Sequence, residues 1–147
     1  MGSPSENDGA VYSAKLDGSD IQTLVAPGDV HTPKQCAVDQ QAGKLYFCDR
    51  EGLRVMRVNL DGSNLETIVQ NGDWRTDGIT DQLKWCVGIA VSQKLRKVFW
   101  TQKGYSKAGV GTIYAASLDM PKGTSLIIGR VDSTNADCRF RSYCCES

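Results

Sequence analysis

Two stretches of the chain align without a gap at a shift of 44 residues, VYSAKLDGSDIQTLV at 11–25 and VMRVNLDGSNLETIV at 55–69. Self-similarity at a spacing of this size points to a stack of small supersecondary units, none of which can bury its apolar face alone. A third copy, IYAASLDMPKGTSLI at 113–127, is degenerate but keeps Leu118 and Asp119 in the places of Leu16-Asp17 and Leu60-Asp61. A second pair of segments lies between these copies. AVDQQAGKLYFCD at 37–49 matches AVSQKLRKVFWTQ at 90–102, at a shift of 53. The difference between the two shifts places an insertion of about nine residues around GDWRTDGITDQLKW relative to GDVHTPKQ, and insertions of this kind belong in loops.

The repeated segments read as strands because they are short, rich in Val, Ile, Tyr, Phe and Thr, and bounded by turn residues. Asp17-Gly18 and Asp61-Gly62 each sit between two apolar runs, where Gly accepts the positive φ that a tight hairpin requires. Met120-Pro121 breaks the third instance. Ten strands result, at 10–16 and 20–26, then 35–39, 44–49, 55–60 and 65–70, then 86–92, 97–102, 112–119 and 125–130. No segment longer than about ten residues carries a helical apolar period, so the chain is nearly all β. A period of about 40–45 residues with four strands per unit is the signature of a propeller blade. The fold class is therefore an all-β β-propeller segment of about two and a half four-stranded blades over residues 9–131. A disordered N-terminus at 1–8 precedes it, and a cysteine-containing, non-repeating tail at 132–147, expected to be disordered, follows it. A closed ring of four blades needs about 160 residues and one of six about 250, so 147 residues amount to roughly half a ring. A truncated, non-functional gene product is one reading of those abrupt ends.

The aromatic pairs carry a family resemblance. Tyr46-Phe47-Cys48-Asp49 and Phe99-Trp100-Thr101-Gln102, each followed by a basic, glycine-containing loop and a strand, and the Leu60-Asp61-Gly62-Ser63 turn resemble the YWTD repeat. This repeat is also called the low-density lipoprotein receptor class B repeat. The similarity is strongest over GKLYFCDREGLRVMRVNLDGSNLETIV and extends over about residues 9–130. It implies a six-bladed propeller in which the motif Asp, here Asp49, ties neighbouring blades together as a structural residue. Gln102 and Cys48 depart from the motif, and LDMP departs from LDGS. Tyr46, Phe47, Phe99 and Trp100 fill the space between blades, each burying on the order of 150–250 Å². Asp17, Asp61 and Gly62 are turn residues.

Composition narrows the partners. Lys and Arg number 17 and Asp and Glu 17, so there is no basic surplus for a nucleic acid or an anionic membrane. No apolar run reaches the ~18–20 residues of a membrane helix. Neither a signal peptide nor an Asn-x-Ser/Thr acceptor is visible, which favours a cytoplasmic chain, or an extracellular one if it is a fragment of a receptor. The six cysteines include no C-x-x-C and His31 is the single histidine, which argues against a metal or disulfide framework; Cys36, Cys48 and Cys86 are expected as small buried hydrophobes in strands.

Propeller function is sought in loops. Alternating strands bring 28–35, 50–54, 71–84 and 103–111 to one end of the stack. The candidate binding residues there are Arg50, Trp74, Arg75, Asp77 and Tyr105, an aromatic-and-arginine set of the kind that anchors protein interfaces, with Lys103 and Lys107 around it. The expected function is a non-catalytic protein-interaction scaffold with a protein partner and no cofactor. Self-association is a further expectation, because an incomplete ring leaves sheet faces open. The alternative is a gluconolactonase-like, metal-dependent hydrolase. Its cation would need about six converging oxygens, for which Asp29, Asp73 and Asp77 are the only candidates on these loops, and His31 is read as a surface residue.

Overall fold

The computed structural model describes residues 7–76, 81–106, 108–124 and 126–127. Ten strands make up nearly all of its regular structure: β1 (Gly9–Ser13), β2 (Gln22–Val30), β3 (Pro33–Asp39), β4 (Lys44–Asp49), β5 (Arg54–Asn59), β6 (Glu66–Gln70), β7 (Cys86–Ser92), β8 (Lys97–Gln102), β9 (Thr112–Ser117) and β10 (Leu126–Ile127). One 3₁₀ turn, Gln82–Lys84, is the only helical element among the described residues.

The strands form three sheets. The first is the β1–β2 hairpin, the middle one runs β10-β6-β5-β4-β3, and the last runs β7-β8-β9. All pairings but one are antiparallel, with Tyr46 opposite Arg57 and Trp100 opposite Tyr114. Side chains alternate across each sheet, so consecutive residues serve opposite interfaces. Leu45, Phe47, Met56 and Val58 join Leu24, Val25 and Val30 in a core between the first and middle sheets. Tyr46, Cys48, Val55, Ile68 and Val69 join Cys86, Val98, Trp100, Ala116 and Leu118 in a second core between the middle and last sheets. The middle sheet is thus apolar on both faces, and β4 and β5 are buried nearly end to end. This stacking of small antiparallel sheets is the arrangement that the repeat predicts.

The two LDGS turns are built alike. Asp17 Oδ1 accepts from the backbone N–H and hydroxyl of Ser19 at 2.9 and 2.7 Å, and Asp61 Oδ1 from those of Ser63 at 2.9 and 2.6 Å. Gly18 and Gly62 have φ of 82° and 84°, which residues with a Cβ adopt only at a cost. Asp20 and Asn64 follow at 54° and 52°, so each loop is longer than a two-residue hairpin.

Three expectations are corrected. The loop foreseen at 28–35 shrinks to His31 and Thr32, because β2 continues to Val30 and β3 starts at Pro33. Cys36 is exposed, whereas Cys48 and Cys86 are buried. The fourth strand of the last set does not pair with β9. β10 runs parallel to β6 instead, with Leu126 opposite Val69 and Ile127 opposite Gln70. The cause lies in the degenerate turn, which the middle sheet grips: Arg57 donates to the carbonyls of Leu118 and Met120 at 3.4 and 3.2 Å, Glu66 Oε1 accepts from the Gly123 N–H at 2.9 Å, and Lys122 Nζ donates to Asn64 Oδ1 at 3.0 Å. Those bonds deliver the chain to the free edge of β6.

Candidate functional site

Asp49 ends β4 at the loop end of the stack, with its side chain fully buried. Its Oδ1 accepts from the backbone N–H groups of His31 and Thr32 at 3.1 and 2.7 Å, and its Oδ2 accepts from Arg54 Nε and Nη2 at 3.0 and 2.6 Å. Arg54 also donates to the Asp29 carbonyl at 3.4 Å. One carboxylate therefore pins the link between the first and middle sheets to the top of β5. Gly52 crosses so close to it that a Cβ there would lie 1.9 Å from Asp49 Oδ2. In the last sheet Gln102 holds the equivalent position and is buried, while Thr101 Oγ1 accepts from the Gly88 N–H at 2.9 Å.

Around this hub lie the aromatic and cationic side chains. The Trp74 ring meets His31 edge-on, with centroids 5.2 Å apart and planes at 75°. Arg75 covers Trp74, its guanidinium carbon 4.5 Å from the ring centroid. His31 Nδ1 is 2.8 Å from the Thr32 hydroxyl. His31 is accordingly half-buried in a contact between two loops, not a plain surface residue. Arg50 donates its backbone N–H to the Thr32 carbonyl at 3.0 Å and its Nε to Glu51 Oε1 at 2.7 Å, and its guanidinium stacks over Trp85 at 4.7 Å. Lys103 Nζ lies 5.1 Å from the same ring. Burial raises the Glu51 carboxyl, but bonds from Arg50 and Thr32 outweigh it and leave the group below its usual value.

The structure thus gathers Arg50, Trp74 and Arg75 about the His31–Thr32 link. Tyr105 is exposed. Asp77 and Lys107 lie outside the described residues. Arg54, Gln70, Asp73, Trp74 and Arg75 line an open cavity of about 250 Å³. Asp29 is exposed, and Asp73 Oδ1 accepts from the Arg75 N–H at 2.9 Å in a local turn. Among the described residues no group of three or more His, Cys, Asp or Glu side chains is placed to hold a metal ion.

Sequence reasoning did not single out Trp85, Glu51 or Arg54 at this end, nor two arginines between sheets. Arg57 pairs with Glu66 at 2.8 Å. Arg96 bridges Asp39 of the middle sheet at 3.1 Å and Asp119 of its own sheet at 2.8 Å. The repeat carries a signal for Arg96: it stands where the preceding repeat has Gly43, and it keeps that glycine's positive φ, 49° against 62°. Phe99 is half-buried on the face of the last sheet that points away from the middle sheet, while Trp100 turns toward the middle sheet and stacks on Tyr114 with centroids 5.5 Å apart.

Stacked antiparallel sheets with interleaved cores, joined at one end by loops that carry the exposed chemistry, define a β-propeller segment. The comparisons agree with it. The chain is 51% identical over 124 residues to the 3-hydroxyacyl-CoA dehydrogenase-like protein LAM1 of Cochliobolus heterostrophus, covering 84% of this chain and 26% of that protein. It is 46% identical over 122 residues to the low-density lipoprotein receptor-related protein 1 of Pyricularia oryzae, covering 78% of this chain and 38% of that protein. The chain therefore spans about a quarter and about two fifths of the lengths of these relatives. Among solved structures, a chain of a nidogen/laminin complex superposes with a TM-score of 0.55 at 18% identity, over 79% of this chain and 38% of that one. No family profile matches the chain. The chain belongs to the YWTD, or low-density lipoprotein receptor class B, repeat β-propellers. Among the described residues no helix is long and apolar enough to cross a membrane.

Proposed function

We propose that this chain is a non-catalytic protein-interaction scaffold that binds a protein partner through its loop end, at Arg50, Trp74, Arg75 and Tyr105. The carrying observation is the Asp49 clasp. A fully buried carboxylate with four donors from two segments holds His31, Thr32 and Arg54 in place, and those residues in turn seat Trp74 and Arg50. A rigid aromatic ring flanked by arginines is the composition of an interface anchor, because it offers a large contact area at little conformational cost. Asp77 completes the proposed surface by its place in the sequence. Membership of a receptor repeat family supports the reading, as does a structural neighbour solved in a nidogen/laminin complex. Self-association through uncovered sheet faces belongs to the same reading, since it is a protein contact away from the loop end.

The name of the first relative describes a dehydrogenase-like protein, but the described residues here supply strands and one 3₁₀ turn, with no strand, glycine loop and helix to seat a dinucleotide. A lactonase-type reaction finds no cluster of acidic ligands among those residues.

The test is binder selection against the folded chain from a peptide-display library, repeated with Trp74→Ala, Arg75→Glu and Arg50→Glu. Binders of the wild type are expected to lose at least tenfold in affinity on these variants, whose melting temperatures stay within a few degrees. Unchanged affinity across all three would sink the loop-end assignment. In the same experiment, a chelator-reversible rise in melting temperature with Ca²⁺, or measurable opening of a simple lactone, would favour the hydrolase instead.

A further inference from the structure

An asparagine followed by glycine is chemically labile, since the glycine nitrogen can reach the side-chain amide with no Cβ of its own to obstruct the approach. Of the asparagines at 7, 59, 64, 71 and 135, Asn71 is the one with glycine after it. Asn7, Asn59 and Asn64 precede Asp8, Leu60 and Leu65, whose side chains stand in the way of the same attack. Asn71 lies just beyond Gln70, the last residue of β6. Both Asn71 and Gly72 are half-buried, so water reaches the linkage between them.

The same side chain closes the base of the loop that follows β6. Its Nδ2 donates to the Lys84 carbonyl at 2.8 Å, while its backbone N–H donates to the Leu53 carbonyl at 2.9 Å. At the far end of the loop, the Trp85 carbonyl accepts from the Lys103 N–H at 2.9 Å. Asn71 therefore stands on the middle sheet and ties to itself a segment that stands on the last sheet. Between the two ends lies the insertion that the repeat exposes, with Trp74 and Arg75 in the turn that Asp73 and Thr76 close.

We propose that Asn71 is a self-modification site, whose conversion to aspartate or isoaspartate unfastens the loop that carries Trp74. The Gly72 amide gives its proton to water or hydroxide, and its nitrogen bonds to the Asn71 Cγ. The Cγ–Nδ2 bond breaks, the side-chain nitrogen leaves as ammonia, and a cyclic imide joins the two residues. Water then adds to one of the two ring carbonyls and opens the ring, to aspartate by one cleavage and to isoaspartate by the other. One water enters and one ammonia leaves, with no change of oxidation state. Either product replaces the amide donor by a carboxylate, which only accepts. An acceptor set against the Lys84 carbonyl oxygen repels it where the amide now bonds to it. Isoaspartate also routes the main chain through the side-chain carbon, which lengthens the link between the Leu53 bond and Trp74. Nothing in these events depends on what the loop end binds.

The chemistry is tested on the full chain, held at about pH 8 for several weeks beside a urea-unfolded sample and mapped by peptide mass spectrometry. The amide-to-acid mass gain is expected at Asn71 at least tenfold ahead of Asn7, Asn59 and Asn64, and Gly72→Ala is expected to slow it at least tenfold. A folded chain that keeps its Asn71 amide while the unfolded one loses it would overturn the proposal, as would a Gly72→Ala variant that converts as fast as the wild type. Hydrogen exchange tests the consequence. Asn71→Asp and the aged wild type are each expected to exchange the amides of 72–76 at least fivefold faster than the fresh wild type, with β4 and β5 unchanged. Where Asn71→Asp loses the wild-type circular dichroism spectrum, the aged wild type carries this measurement alone. Exchange equal to that of the fresh chain would mean that the bond to Lys84 fastens nothing, and the proposal would fall with it.

Discussion

At the scale of single residues, the buried polar groups make the sharpest commitments. Removing the Asp49 carboxylate by Asp49→Ala leaves two backbone donors and Arg54 unsatisfied in a buried place, and breaking a buried ion pair from one side costs about 3–5 kcal/mol. Gly52→Ala attacks the same hub from outside by driving a methyl group into the carboxylate, an overpacking of about 1–3 kcal/mol. Chemical denaturation of the two variants measures both, and a wild-type midpoint in either would mean that the clasp contributes nothing. The cysteines divide as sharply. Burial, and secondarily the neighbouring Asp49 charge, push the Cys48 thiol up to about 12, and burial raises Cys86 further still, so neither forms a thiolate near neutral pH. Cys36 is exposed. In native thiol labelling at pH 8, Cys36→Ser is expected to remove one reactive equivalent and Cys48→Ser none.

At the scale of elements, the twin turns provide an internal control. Gly18→Ala and Gly62→Ala both force a Cβ into a left-handed φ, at about 1–2 kcal/mol. Only at Gly62 does that Cβ also press on a neighbouring sheet, 3.3 Å from the Thr23 carbonyl oxygen, whereas nothing lies within 4 Å at Gly18. The second variant is expected to melt lower than the first, and equal melting temperatures would deny that this turn touches its neighbour tightly. Nine of the ten strands were legible in order and approximate extent because alternation and turn residues are local signals. The pairing of β10 was not. It is decided by Arg57, Glu66 and Asn64, which hold the 118–123 turn from a distant part of the sequence. At the loop end the sequence showed Arg50, Trp74 and Arg75, whereas the His31–Trp74 contact depends on an inter-loop approach that spacing does not encode.

At the scale of the whole molecule, stability depends on pH through groups at the sheet junctions. Burial raises the carboxyls of Asp39 and Glu66, but Arg96 and Ala42 at the first, and Arg57 and Gly123 at the second, more than offset it and leave both below their usual values. Their contribution is fully present above the ordinary carboxylate range near 4 and is lost as pH falls through the lowered values. The Cys48, Cys86 and Tyr46 side chains are raised first by burial, so their contribution is present below about pH 9 and is lost as pH climbs through the raised values. The melting temperature is expected to be flat between about pH 5 and 8 and to fall on both sides, with Asp39→Asn softening the acid limb. A melting temperature that rises below pH 4 would contradict this. One further consequence belongs to the junction between the middle and last sheets. Tyr46, Arg57 and Glu66 address the 118–123 segment through the carbonyls of Leu118 and Met120 and the amide of Gly123, never through its side chains. Those four bonds do not depend on residue identity, while the Lys122 ammonium on Asn64 and the Leu118 and Met120 side chains in the shared core do, so the change from Asp-Gly-Ser to Asp-Met-Pro costs the family signature but leaves the main-chain bonds to the neighbouring sheet in place.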